Sequence, residues 1–127
     1  MNLIDNALGV HAQALGLRSK RMEVLARNIA NADTPHYKSK DIDFRSVLKQ
    51  TREDALNSTH NMHMNMPMEE SPSGEKYRTP FNASFDGNTV EMNVEQAKFG
   101  EAAADYQATL NILENRISGI RHALRGD

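Results

Sequence analysis

The sequence predicts a mainly α-helical protein in which long N- and C-terminal helices pair as a coiled-coil core, with an extended, loop-rich middle segment. Two apolar stripes at helical spacing, one at each end of the chain, predict the helices. That spacing fades between them, and Asn, Ser, Thr, Pro and Gly accumulate over residues 51–89, which predicts the loop-rich segment. A chain of 127 residues has room for one domain.

The N-terminal helix is predicted over residues 3–32, within a first segment 1–35. Its stripe advances by alternating steps of four and three, and seven of its nine positions are apolar. Pro35, with the restricted Thr34 before it, should end the helix. Gly9 and Gly16 each cost about 1 kcal/mol relative to Ala, so the helix should be marginal alone. This N-terminal stripe comprises Ile4, Leu8, His11, Leu15, Arg18, Met22, Leu25, Ile29 and Ala32.

The C-terminal helix is predicted over residues 92–124, within a last segment 92–127 that forms one structural domain with residues 1–35. The same steps select eight positions, all apolar, over about three and a half heptads, a pattern typical of a coiled coil. We expect Asn93 and Gln96 to cap its start and Gly126 to follow its end. This C-terminal stripe comprises Phe99, Ala103, Tyr106, Leu110, Leu113, Ile117, Ile120 and Leu124.

The middle segment, residues 36–91, is predicted to hold a turn, one short helix and extended pieces. Asp43 can cap a helix over about residues 43–56. Prolines forbid a continuous helix further on, and Asp86 and Gly87 favour a turn. Three aromatic residues should form a small satellite cluster: Tyr77, Phe81 and Phe85.

Composition excludes several classes of function. The net charge of −2 argues against nucleic acid as a partner, and the absence of Cys excludes disulfides and thiol catalysis. We expect no transmembrane segment and no cleaved signal peptide, because no apolar run is long enough. The chain also lacks the common catalytic and phosphate-binding motifs, so we expect neither enzymatic activity nor a cofactor. Its hydrophobic share of 39% is low, so either the chain stays partly disordered alone or it buries its remaining apolar surface against copies or partners.

One stretch, residues 25–44, carries a family resemblance. It resembles the N-terminal signature of the flagellar axial proteins, the rod and hook subunits, in which Asn-Ile/Leu-Ala-Asn precedes Thr-Pro-Gly-Tyr. Residues 41–44 and 86–90 are most similar to the proximal-rod members of the flagellar basal-body rod protein family. His36 stands where the family usually has Gly, and His visits the left-handed region more often than most residues. The matching residues are Asn28, Ile29, Ala30, Asn31, Thr34, Pro35, Tyr37 and Lys38.

The resemblance implies a structural subunit of the proximal rod, located in the periplasm-spanning part of the flagellar basal body. It implies export by the flagellar type III apparatus and self-assembly through the terminal helices. The two stripes, which can bury each other if the chain folds back as an antiparallel pair, should be the seam of this assembly. The implied partners are copies of the chain, other rod subunits, the ring-side adaptor and membrane ring, and the export-gate proteins. A structural role of this kind requires no catalytic activity.

Phe44 and Leu48 lie one helical turn apart. A similar Phe-x-x-x-Leu pattern in rod and hook subunits implies docking on the export gate. The alternative is a local packing contact between two apolar side chains.

Two other classes of protein are alternatives. The first is a soluble copper-binding module, because residues 60–68 hold six thioether or imidazole side chains, among them His60, Met62 and Met64. A flexible loop without fixed ligand geometry is the simpler interpretation of that run. The second is a wall-lytic protein associated with the rod, for which the sequence offers no paired acid and base.

Overall fold

The computed structural model describes residues 3–49 and 74–126. Its elements, in chain order, are helix α1 (Leu3–Ala30), strand β1 (Lys40–Ile42), helix α2 (44–49), strand β2 (Glu75–Tyr77) and helix α3 (Met92–Arg125). Helices α1 and α3 pack against each other. The predicted fold class, a mainly α chain with paired terminal helices and a loop-rich middle, is therefore confirmed.

Helix α1 ends at Ala30, two residues before the predicted end. The backbone turns at once, since the N–H of Asn31 donates to the carbonyls of Arg27 and Asn28, at 3.2 and 3.1 Å. Pro35 lies beyond this turn and does not itself stop the helix. Near the other end, Gly9 leaves helical geometry (φ 34°, ψ −125°) and kinks α1. Glycine permits this conformation because it has no Cβ atom.

Helix α3 begins at Met92, and its N-cap residue is Glu91, so the predicted cap at Asn93 and Gln96 is wrong. The Glu91 carboxylate accepts hydrogen bonds from the backbone N–H groups of Phe81 and Asn82, both at 3.1 Å, and makes no cap bond to the helix. The predicted C-cap is confirmed. Gly126 is left-handed (φ 74°), and its N–H donates to the carbonyl of His122.

Strands β1 and β2 form a two-stranded antiparallel sheet with Lys40 opposite Tyr77 and Ile42 opposite Glu75. The predicted cap of the short helix α2 is confirmed, because the Asp43 carboxylate accepts from the N–H of Ser46 at 3.2 Å. The part of that predicted helix beyond residue 49, and the whole histidine and methionine run at 60–68, lie outside the described residues.

The sheet packs against the end of α1, and the buried apolar core is small. Its members within the described residues are Ala14, Val24, Leu25, Ile42 and Ala102. The predicted aromatic cluster is wrong, because Tyr77 and Phe81 are 70% and 86% exposed and Phe85 is fully exposed. Within residues 3–49 and 74–126, no helix is both long and apolar enough to cross a membrane.

Candidate assembly interface

Asn28, the first polar residue of the signature, is fully buried and joins α1 to three other parts of the chain. Its amide nitrogen donates to the backbone carbonyl of Lys40 at 2.7 Å and to the carboxylate of Glu95 at 3.0 Å. Its amide oxygen accepts from the N–H of Lys40 at 3.2 Å and from the hydroxyl of Tyr37 at 3.3 Å. Both donor positions and both acceptor positions of the Asn28 side-chain amide are thus occupied. The side chain ties α1 to the signature turn, to β1 and to α3.

Glu95 is a charged residue in the first turn of α3 with only 1% of its surface exposed. One carboxylate oxygen accepts from Asn28, and the other accepts from the guanidinium of Arg78. A buried carboxylate is tolerated in a protein interior when it is paired and hydrogen-bonded. We call Asn28, Arg78 and Glu95 the buried polar cluster.

The turn that follows α1 is held by a side chain from a distant loop. The amide nitrogen of Asn88 lies 3.0, 2.8 and 2.8 Å from the carbonyl oxygens of Asn31, Ala32 and Thr34, to which it donates. Asn88 is 4% exposed. These carbonyls belong to the turn that follows α1, so Asn88 connects that turn to the loop before α3.

The remaining signature residues shape the turn itself. Asn31 donates from its side chain to the carbonyl of Arg27 at 2.8 Å, and the hydroxyl of Thr34 donates to the side-chain oxygen of Asn31 at 3.2 Å. Thr34 and Pro35 are exposed. The signature therefore combines an inner part, the buried Asn28 with the half-buried Tyr37, and an outer part that bends the chain.

His36 adopts the left-handed conformation (φ 61°) that its position predicts. Its N–H donates to the carbonyl of Asp86 at 3.0 Å. The turn at His36 and the turn at Gly87 are in close contact, since a Cβ atom on Gly87 would lie 2.8 Å from Nδ1 of His36. Lys38 adds a bond to the carbonyl of Gly87 at 2.7 Å. The hydroxyl of Ser84 holds the pKa of Asp86 below its ordinary value by donating to that carboxylate.

Ion pairs join α1, α3 and the sheet. Arg18 pairs with Asp105 across the helices at 2.5 Å. Asp41 of β1 lies between Arg21 of α1, at 3.0 Å, and Lys98 of α3, at 3.7 Å. The hydrogen bond to Asp41 raises the pKa of Arg21. These pairs fix how far α3 is advanced along α1.

Phe44 and Leu48, the predicted export-gate pair, are both half-buried on α2. The guanidinium carbon of Arg18 lies 4.8 Å from the centre of the Phe44 ring, within range of a cation–π contact. Phe44 also borders a cavity of about 150 Å³ together with Arg21, Ala102 and Asp105. The ring is therefore packed locally within the single chain.

The prediction that the two stripes bury each other is wrong, because they flank the line along which the helices meet. The most buried positions of α3 recur every seven residues and are small or polar. With their counterparts on α1 we call them the contact line: Ala14, Arg21 and Asn28 on α1, and Glu95, Ala102 and Thr109 on α3. Leu25 is buried, while Ile117 and Leu124 are 40% and 78% exposed. The other stripe residues named for assembly are half-buried: Leu8, Leu15, Met22, Ile29, Phe99, Tyr106, Leu110, Leu113 and Ile120.

Both stripes border a single groove at the end of the pair that contains the kink. The groove has a volume of about 470 Å³ and an almost wholly apolar lining. Leu8 contributes from α1, and α3 contributes the rest of the lining: Ile117, Ile120, Arg121, Leu124 and Arg125. The two stripes therefore face the same side of the helix pair at this end.

Within the described ranges, no three His, Asp or Glu side chains come together as a possible metal site. The polar residues that are close together serve the fold, since each of them contacts backbone groups or an oppositely charged side chain. The functional surface must therefore be built from three features: the signature turn at residues 31–37, the contact line and the stripes that flank it.

A model of the flagella basal body rod protein family matches residues 8–38, which include every signature residue. The flagellar basal body rod protein FlgB of Cereibacter sphaeroides is 46% identical over 121 residues, or 94% of each chain. The chain belongs to the FlgB family of basal-body rod proteins. FlgB of Escherichia coli K12 is 40% identical over 98% of this chain and 97% of its own length. FlgB of Salmonella typhimurium LT2 is 40% identical over 99% and 98%.

FlgB membership confirms the predicted family and makes the chain a structural subunit of the flagellar basal-body rod, where it associates with other rod subunits. It also places the chain in a family of structural proteins, not of enzymes. Sequence reasoning identified Asn28 and the signature turn in this FlgB homologue. It missed Glu95, Arg78 and the hydrogen bonds made by Asn88. The seven-residue spacing of Glu95, Ala102 and Thr109 was the available signal for the first of these.

Proposed function

We propose that the chain is a proximal-rod subunit that self-assembles through α1 and α3, is exported by the flagellar type III apparatus and is required for motility. The observation that carries the proposal is the half-exposed apolar surface beside the contact line. A single chain leaves Ile117 and Leu124 largely in water. Burial of such side chains in a neighbouring subunit would contribute about 1.5–3 kcal/mol each.

The two stripes are arranged to form one face. Stripe residues follow contact-line residues by one or four positions on both helices, as Leu15 follows Ala14 and Leu110 follows Thr109. In an antiparallel pair, equal offsets on the two helices point to the same side. The groove shared by Leu8 and Ile117 agrees with this geometry. One more helix, from a second copy or another rod subunit, would cover both stripes together.

The exposed aromatic residues offer a further contact surface. Phe81 and Phe85 lie on a loop that is held in place by the Glu91 carboxylate and by the Ser84–Asp86 hydrogen bond. Exposed aromatic side chains on an ordered loop are typical of protein interfaces. We assign this surface to neighbouring rod subunits or to the ring-side adaptor and membrane ring.

Export through the export gate needs a recognition element that does not depend on a cleaved signal. Phe44 and Leu48 are half-buried, and Phe44 contacts Arg18 of α1. The pair would become available to the export-gate proteins only when α1 separates from α2. Export of a chain whose terminal helices are not yet packed would meet this condition.

Purification of basal bodies tests the rod assignment directly. We expect the chain to remain with intact basal bodies, and we expect cells that lack it to be non-motile until the parent chain is restored. A chain that stays in the cytoplasm of motile cells, or cells that swim without it, would contradict the proposal.

A further inference from the structure

The contact line between α1 and α3 is unusual because it is built from small and polar residues. Ala14, Asn28, Glu95, Ala102 and Thr109 are all buried there. The larger apolar side chains lie beside it. Hydrophobic burial alone would favour a rotation that turns the two stripes toward each other. Some other interaction must therefore hold the helices in the arrangement observed.

The buried polar cluster supplies that interaction. Glu95 accepts from both Asn28 and Arg78, and Asn28 has no unused hydrogen-bonding position. A shift of α3 by one heptad would place Ala102 opposite Asn28. Alanine cannot accept the amide hydrogen bond, and the Glu95 carboxylate would lose that partner. An unpaired buried polar group is strongly disfavoured.

The ion pair between Arg18 and Asp105 selects the same alignment. A one-heptad shift of α3 would bring either Lys98 or Ile112 opposite Arg18. The first places two positive charges together, and the second leaves a half-buried guanidinium without its carboxylate. Both shifted alignments are therefore disfavoured by a second contact, ten residues along α1 from Asn28.

We propose that the buried polar cluster of Asn28, Arg78 and Glu95 determines the specificity of helix pairing, so that α1 pairs with α3 of its own chain in one antiparallel register. These are positioning residues. Their consequence for assembly, which rests on the proposed function, is that both apolar stripes stay on one side and remain available to neighbouring subunits. The pairing itself does not depend on the role in the rod.

Disulfide trapping measures the register, because the chain contains no cysteine of its own. Ala14→Cys with Thr109→Cys reports the observed alignment, and Ala14→Cys with Arg116→Cys reports the one-heptad shift that places Ala102 opposite Asn28. In the purified chain we expect the aligned disulfide to form within the molecule about ten-fold faster than the shifted one. The ratio compares the two registers even when only part of the population is paired.

Substitution of the cluster should remove the preference. In N28L/E95L, two apolar side chains of comparable size replace the polar ones, and we expect the ratio to fall to about one, with intermolecular disulfide dimers appearing. Glu95→Gln should keep most of the preference, because its amide oxygen still accepts from Asn28. Gln96→Leu, at the exposed neighbouring position, is the matched control and should leave the ratio unchanged.

Three outcomes would overturn the proposal. The first is an unchanged ratio in N28L/E95L. The second is an equal rate for both disulfides in the parent chain. The third is loss of both disulfides together with the helical circular dichroism signal in N28L/E95L, which would assign the cluster to stability and not to specificity. The disulfide experiment uses the purified chain and no basal bodies. Its result therefore stands even if the chain is not a rod subunit.

Discussion

At the scale of single residues, the fold depends on side-chain amides that satisfy backbone groups far away in the sequence. Asn88 donates to carbonyls of the turn after α1, and Asn28 bonds both backbone groups of Lys40. These bonds connect loops that would otherwise be held by few apolar contacts. Loss of one such amide should therefore cost more than loss of an exposed residue.

Replacement of Asn88 by Ala tests this expectation. The substitution removes the donor to the carbonyl of Ala32 and the side-chain donor to the carbonyls of Asn31 and Thr34, which keep the backbone N–H groups of Thr34 and Tyr37. An unsatisfied buried group costs about 1–3 kcal/mol. We expect the free energy of unfolding in urea to fall by about that amount. Asn82→Ala is the matched control, because Asn82 is exposed and uses only its backbone N–H toward Glu91. Equal midpoints for both variants would contradict this role of Asn88.

Replacement of Phe44 by Ala separates export from packing. If Phe44 docks on the export gate, the variant should remain in the cytoplasm while keeping the helical content of the parent, and secretion assays measure this. Arg45→Ala is the neighbouring control, because Arg45 is exposed on α2 and lies outside the Phe44–Leu48 pair. Undiminished secretion of Phe44→Ala would show that the ring serves only the contact with Arg18.

The sequence predicts these residues unevenly, for a physical reason. The left-handed His36 and the Asp43 cap follow from local rules, which depend on a few neighbouring positions. Glu95 bonds a residue 67 positions away in the sequence, and Asn88 bonds residues more than 50 positions away. Such partners come together only when the chain folds. A charged residue in the first turn of a helix is ordinarily solvated, so only the seven-residue spacing from Ala102 and Thr109 pointed to the burial of Glu95.

At the scale of elements, periodicity located both helices but not the line on which they meet. The stripes share a face of each helix, as their spacing requires. The spacing of apolar residues does not show which other element packs against each face of a helix. Here α3 turns Glu95, Ala102 and Thr109 toward α1 and leaves Ile117 partly in water. The ends of the helices were harder to predict than the helices themselves. The N-cap of α3 is Glu91 and not Asn93, and the Glu91 carboxylate bonds the preceding loop.

A charge at Ile117 tests whether the C-terminal stripe is an assembly surface. Ile117 is 40% exposed in the single chain, so Ile117→Asp should change its helical content little. In an assembled rod the same charge would be buried against a neighbouring subunit, which is strongly unfavourable. We therefore expect loss of motility in soft agar, and Leu113→Asp should behave in the same way.

Glu114→Lys is the control for this pair of variants. Glu114 is exposed and lies off the stripe, so reversal of its charge should be far better tolerated. Normal swimming of Ile117→Asp, or equal loss in Glu114→Lys, would count against assembly through the stripe.

At the scale of the whole molecule, the long helices are supported by a small core. Only Val24, Leu25 and Ile42 are large apolar side chains buried within the described residues. Helices in water depend on tertiary packing for most of their stability, and α1 contains a kink at Gly9. The far end of the pair holds an open apolar groove in place of a packed interior. This distribution favours a chain that completes its packing only among other subunits.

We therefore expect the dilute monomer to be largely disordered at both ends and to become helical on assembly. Disorder before assembly would also suit passage through a narrow export channel. Hydrogen exchange on the dilute monomer measures this, with the same chain in purified basal bodies as the comparison. Amides in residues 8–29 and 99–124 should exchange rapidly in the monomer and slowly in the rod. Slow exchange of both segments in the monomer would mean that α1 and α3 fold as a pair alone, and ordering would then not be coupled to assembly.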